Sequence, residues 1–276
     1  MRGTFRIGVC QMQVGERKEE NIFKALAMIQ EASANGSRLV VLPEMFNCPY
    51  DSTLFPVFAE EYPNGETIQM LSRAARKENI YLIGGSIPEL EGSTVYNTSF
   101  IFGTRGELLA KHQKIHLFDV DLAGGISFKE SQTLGYGKKV TVVETEVCTL
   151  GVAICYDIRF PELSRLMALA KAELIVIPAA FNMTTGPAHW ELLLRARAVD
   201  NQVFVVGAAP ARNNNASYVS YGHSAVVDPW GQIIAGSGEK ETILYGDIDL
   251  RRVTKIRQEL PLLKHRRLDL YELKHL

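Results

Sequence analysis

The chain has 276 residues, 46% of them hydrophobic and 22% charged, with a formal net charge of −1. That balance is ordinary for a globular protein, and no basic block offers the surface that nucleic acid requires. No run approaches the roughly 18 apolar residues of a membrane span, and the N-terminus has no secretory apolar region, so a soluble cytoplasmic protein without membrane or nucleic-acid partners is expected.

In chain order, residues 5–12 read as a short buried strand. Residues 21–34 predict a helix with Ile22, Leu26, Ile29 and Ser33 on one face and Asn35-Gly36 as its stop. A second buried strand, 38–42, ends at Pro43-Glu44. A helix over 67–77 turns Ile68, Leu71 and Ala75 inward, and a third strand follows at 80–84. Residues 95–102 and 107–111 make a hairpin around Gly103-Thr104-Arg105-Gly106.

The second half repeats this order. It reads as a strand over 149–154, a helix over 161–171, and a strand over 173–177 ended by Pro178. A helix over 189–199 follows, with Trp190, Leu193, Leu194 and Arg197 along one side, then a strand over 203–206. A hairpin over 224–228 and 231–235 closes the repeat around Asp228-Pro229-Trp230-Gly231, which has good turn chemistry. Residues echo as well as order: Leu39-Val40-Val41-Leu42-Pro43-Glu44 lies beside Leu174-Ile175-Val176-Ile177-Pro178-Ala179. A β-α-β-α-β unit with a trailing hairpin, used twice, predicts a single α/β domain: a four-layer α-β-β-α sandwich with a pseudo-twofold repeat. Sheets covered on both faces explain strands that are apolar throughout.

The stretch from Gly151 to Glu162 organises this plan. An apolar run reaches Cys155, turns through Tyr156-Asp157-Ile158-Arg159, and enters a helix led by Pro161, where no backbone N–H is needed. Cys155 is thus expected at the carboxyl end of a strand, where α/β proteins place their chemistry; a buried core cysteine is the alternative. Cys10, Cys48 and Cys148 are the remaining thiols, and with no C-x-x-C pair they read as reduced and intracellular. Two further residues stand out. Glu44 ends its strand as a general base would, although a capping role fits as well; Lys114 follows a hairpin, as a surface lysine also could.

Taken together, Leu42-Pro43-Glu44, Lys114-Ile115-His116-Leu117 and Cys155-Tyr156-Asp157-Ile158-Arg159-Phe160-Pro161-Glu162 resemble, in order, the three signature blocks of the nitrilase (carbon–nitrogen hydrolase) superfamily. The resemblance covers essentially the whole chain. Within the family it is nearest to the omega-amidases, through the Phe46-Asn47-Cys48-Pro49-Tyr50, His116–Asp121 and Phe181–Glu191 segments, with Cys48 and Ala123 as small departures. The resemblance implies Cys155 as nucleophile, Glu44 as general base, Lys114 as the cation beside the oxyanion, Glu130 as a second carboxylate orienting Lys114, and the Tyr156 backbone N–H as oxyanion donor. It implies hydrolysis of the terminal amide of 2-oxo dicarboxylic acid monoamides, such as 2-oxoglutaramate, through a cysteine thioester. No cofactor and no metal are called for.

A substrate carboxylate wants an Arg, hydroxyls or a helix N-terminus. The candidates are Arg159, Tyr50, Thr184 and Thr185, with a loop-tying role for Arg159 and capping roles for the threonines left open. His116, His189 and His223 show no metal-ligand spacing, and Asp157 reads as a turn former. By resemblance the tail over about 255–276, which holds the densest basic cluster around Arg266-Arg267, packs at a subunit interface of a homo-oligomer, in the simplest case a dimer. Two alternatives stay open: an amidase for deaminated glutathione or N-carbamoyl amines on the same three residues, and a non-catalytic scaffold of the same fold.

Overall fold

In a computed structural model, residues 3–122 and 126–275 are described; Ala123 lies outside them. Two sheets pack face to face. The first has the order β15-β1-β2-β3-β5-β4, β15 being Thr242–Asp249, with β6 (Leu108–Gln113) also on β5; β7 (Asp119–Leu122) and β8 (Ile126–Lys129) pair apart from both sheets. Its parallel centre is β1 (Thr4–Gln11), β2 (Ser37–Val41) and β3 (Tyr81–Ile83), and β5 (Thr94–Phe102) and β4 (Ile87–Glu91) continue it antiparallel. The second sheet runs β14-β13-β12-β11-β10-β9, with β10 (Thr149–Val152), β11 (Leu174–Pro178) and β12 (Phe204–Ala208) parallel. On its flanks lie β9 (Thr141–Glu144) and the hairpin of β13 (Ala225–Val227) and β14 (Ile233–Gly236).

Side-chain alternation assigns each strand to two cores at once. Ile7, Val9, Leu39, Val41, Leu174 and Val176 meet between the sheets. From the same strands Cys10, Val40 and Leu42 face α1 (Lys18–Ala34) and α3 (Glu66–Glu78), while Ile175 and Ile177 face α4 (Pro161–Leu169) and α5 (Gly186–Asn201). This is the expected α-β-β-α sandwich, and burial on both faces is why the central strands β3, β11 and β12 are apolar throughout.

The α1 face differs from the periodicity reading. Asn21, Ile22, Ala25, Met28, Ile29 and Ala32 are buried, and Leu26 and Ser33 fall on the flank. Small residues face the sheet because the helix sits very close to it: a Cβ on Gly8 would lie 2.9 Å from that of Ala32. Hydrophobicity alone favours Leu26, whereas close packing selects alanine.

The two halves are also not independent. β15 (Thr242–Asp249) returns from the C-terminal end and pairs antiparallel with β1 over its whole length, Thr4 opposite Asp249 and Gln11 opposite Thr242. α6 (Arg251–Glu259) then buries Val253 and Ile256, and the Arg257 guanidinium donates to the Ala172 carbonyl. Residues 255–259 therefore belong to the body of the fold, and the tail expected from residue 255 begins after Glu259.

Candidate active site

The site forms where the carboxyl ends of both sheets meet. Glu44 follows β2 and Cys155 follows β10. Lys114 follows β6, which runs in the sense of β3 because two antiparallel pairings separate them. The Glu44 and Cys155 turns carry strain. Met45, just after Glu44, has φ +48°, and Cys155 itself has φ +45°, a region non-glycine residues rarely occupy. At Gly85 (φ +51°) a Cβ would stand 2.0 Å from the Pro43 carbonyl oxygen, so only glycine lets that backbone support the Glu44 turn.

Lys114 is fully buried, and its Nζ donates to Glu44 Oε1 and to Glu130 Oε1, both at 2.9 Å. Glu44 Oε1 also accepts from Asn97 Nδ2 at 2.9 Å, and Oε2 from the Ala180 backbone N–H at 2.7 Å. Ala180 lies just beyond β11, so the second half holds the base supplied by the first. Cys155 lies near enough to Glu44 for each to act on the other's charge. Glu130 opens a short 3₁₀ turn and accepts from Phe118 N–H at 2.7 Å and from the Tyr50 hydroxyl at 2.9 Å.

One ammonium between two buried carboxylates leaves an excess negative charge. Burial first, and the Glu130 charge after the opposing pull of Lys114, raise the Glu44 carboxyl above its ordinary value. Burial would lower Lys114, but Glu130 and Glu44 outweigh it and hold the ammonium well above its usual range. Burial, then Glu44, push the Cys155 thiol well up. The resting sulfur is therefore a thiol, and its conversion to a nucleophile needs a base.

Comparison with known proteins places the chain in a family. A family model for carbon–nitrogen hydrolases spans residues 6–258. The chain belongs to the carbon–nitrogen hydrolase family. The mouse omega-amidase NIT2 is 53% identical to this hydrolase over 268 residues, covering 97% of each chain. Nit3 of Saccharomyces cerevisiae, a member of branch 10 of the nitrilase superfamily, superposes with a TM-score of 0.90 at 43% identity, covering 96% of this chain and 97% of its own. A mutant amidase of Nesterenkonia sp., with the acetamide moiety of fluoroacetamide added covalently at its active-site cysteine, superposes at 0.79 with 26% identity over 98% and 97% of the two chains.

The hydrolase's expected site residues divide. Glu44, Lys114, Glu130 and Cys155 converge, and Tyr156 follows Cys155 in the 3₁₀ turn Cys155–Arg159. Arg159 and Thr185 line a cleft with Cys155, Phe118, Phe181 and Tyr218, with an inner volume of about 10 Å³, room for about one water. The Arg159 guanidinium lies over the Phe181 ring at 4.9 Å and meets His189 Nδ1 at 3.2 Å. Among the described residues it forms no ion pair with an acidic side chain, so the loop-tying role finds no support in its side-chain bonds. Thr184 is exposed and outside the cleft: Asn182 Oδ1 accepts the N–H groups of Thr184 and Thr185 and the Thr185 hydroxyl, drawing that loop into a turn. Tyr50 is turned to the carboxylates, its ring 4.5 Å from that of Tyr218. Cys48 is buried in a cluster with Met45 and Phe55.

Three residues escape a reading of the sequence. Asn97 and Tyr218 carry no motif signal; Tyr218 donates to the Ala180 carbonyl at 2.5 Å. Asp157 is more than a turn former. Its Oδ1 accepts from the N–H and Nδ1 of His116, at 2.9 and 2.8 Å, and its Oδ2 from Ile154 N–H and His112 Nε2, at 3.0 and 3.1 Å. Its spacing of two from Cys155 was the available signal, and it ties the nucleophile's turn to the Lys114 segment.

Proposed function

We propose that this hydrolase is an omega-amidase, converting 2-oxoglutaramate or 2-oxosuccinamate to the 2-oxo dicarboxylate and ammonia. The observation that carries the reading is a buried Lys114 bridging Glu44 and Glu130, with the buried Cys155 thiol within electrostatic reach of all three. A binding scaffold gains nothing from three buried charges, whose desolvation is costly. Glu44 takes the thiol proton as Cys155 Sγ attacks the amide carbon, and the oxyanion lies between Lys114 and the Tyr156 N–H. One such donor is worth about 10²–10³ in rate. Glu44 gives its proton to the departing nitrogen, the C–N bond breaks, and ammonia leaves a thioester. Water, deprotonated by Glu44, then attacks the thioester; the C–S bond breaks, the acid departs, and Cys155 recovers its proton.

Arg159 supports the substrate class: its guanidinium lines the Cys155 cleft and, among the described residues, has no acidic partner. Steady-state ammonia release from 2-oxoglutaramate, 2-oxosuccinamate, a peptide-like amide and an N-carbamoyl amine should favour the short 2-oxo amides. Preference for either of the last two overturns the assignment, and activity surviving Cys155→Ala overturns the thioester route. The exposed apolar side chains of Leu192 on α5 and of Leu268, Leu270 and Tyr271 in the tail support a homo-oligomer, in the simplest case a dimer, which sedimentation would test. Four free cysteines fit a reduced cytoplasmic setting. Among the described residues no helix is long and apolar enough to cross a membrane.

A further inference from the structure

A second cavity, of about 290 Å³, has Glu44 but not Cys155 in its wall. Tyr218 belongs to the walls of both spaces, and the Tyr50 ring, in the wall of the second cavity, lies 4.5 Å from it at a tilt of 33°. Among the described residues, the one charged group in its wall besides Glu44 is Glu16, and Asn213, Asn215, Ser217 and Ser220 supply neutral hydrogen-bonding groups. A polar cavity of this size holds several waters.

The reaction makes conflicting demands on the cleft. After ammonia leaves, the acyl chain stays bonded to Cys155 and occupies a space whose resting volume is that of one water. The attacking water must arrive at the position ammonia vacated, next to Glu44, which protonated the one and deprotonates the other. The charge of the second cavity also sorts its traffic. A wall with two carboxylates and no Lys, Arg or His repels a carboxylate substrate, while water and ammonia carry no charge to oppose entry.

We propose that this cavity is an exchange chamber: ammonia leaves through it and hydrolytic water enters through it, past Tyr218, while the acyl chain fills the cleft. The inference rests on the thioester reading given above. The overall balance is amide plus thiol giving thioester plus ammonia, then thioester plus water giving acid plus thiol, with no other reactant.

Ala216→Trp and, separately, Ser217→Trp place a bulky ring at the rim of the chamber, away from the catalytic groups. Two substitutions at different positions guard against misfolding of either, and an unchanged melting temperature identifies the usable variant. With 2-oxoglutaramate, the first-turnover burst of ammonia measured after acid quench, which frees ammonia still held in the site, should persist. kcat should fall about tenfold, KM should fall with it, and intact-mass spectrometry of quenched enzyme should show more of the Cys155 acyl adduct than in the parent. A KM that rises while kcat is unchanged would make the chamber a substrate pocket and overturn the proposal. Unchanged kcat and adduct level in a folded variant overturn it too. Absence of any adduct in the parent enzyme would instead remove the thioester reading, so the two failures are distinct.

Discussion

Replacing Asp157 by Asn tests how the nucleophile's turn is held. Each carboxylate oxygen accepts one backbone N–H and one imidazole nitrogen: His116 N–H with His116 Nδ1 on Oδ1, Ile154 N–H with His112 Nε2 on Oδ2. An Asn side chain has one oxygen and one NH₂ group. An imidazole facing the NH₂ can change tautomer and accept, but a backbone N–H cannot. In either orientation one backbone N–H, that of Ile154 or of His116, is left facing a donor at a buried residue. An orphaned group of this kind costs about 1–3 kcal/mol. At the ~2–4 °C per kcal/mol typical of chains of 150–250 residues, Tm falls by roughly 2–12 °C.

The pH dependence follows from the charge. Despite burial, hydrogen bonds from His112 and His116 hold the Asp157 carboxyl well below its ordinary value. A depressed carboxyl contributes stability in full above the unfolded value of about 3.9 and loses it as pH falls toward the folded one. The gap between parent and Asp157→Asn in urea unfolding should therefore be constant from pH 5 to 8, in round values, and narrow below ~4. Because Ile154 immediately precedes Cys155, kcat should fall by up to ~10², the cost of a displacement near 1 Å. Equal urea midpoints at neutral pH, or a gap that widens toward acid, would refute this account.

Lys114→Met keeps the volume and removes the ammonium between Glu44 and Glu130. Breaking a buried pair in this way should cost about 3–5 kcal/mol in urea unfolding at pH 7–8, less near pH 5 where a carboxyl takes up a proton, with ammonia release lost. In the parent enzyme Glu44 must be ionised to accept the thiol proton. Its raised value puts the acid limb of kcat/KM above the ~4.3 of an ordinary Glu, and the raised Lys114 leaves activity intact to about pH 10; a limb at or below 4.3 contradicts the assignment. Arg159→Leu should raise KM for 2-oxoglutaramate roughly 10- to 150-fold, the worth of a hydrogen bond to a charged group, with little change for an uncharged amide such as butyramide. Equal effects on both substrates would remove the carboxylate role.

Much of this protein is written in short-range pattern. Apolar strands ended by Pro43-Glu44 and Pro178-Ala179, the Pro161-led helix and the glycine-bounded hairpins locate the elements of both halves because propensity, periodicity and turn chemistry are local properties. The same strands, apolar on both faces, imply a sandwich, and three short blocks around Glu44, Lys114 and Cys155 identify the family.

Three-dimensional packing decided what those patterns leave open. Ala25 and Ala32, not Leu26, face the sheet, because the distance between α1 and β1 is a property of two elements and not of one. β15 crosses from the second half to pair with β1, since a strand's partner is chosen by geometry across more than 200 residues of chain. Asn97, Ala180 and Tyr218 join the site for the same reason: Glu44 takes one hydrogen bond from β5 and another from beyond β11. Residue identity fixed which groups could react, and only the meeting of the two sheets fixed which neighbours set their charge and which cavity opens beside them.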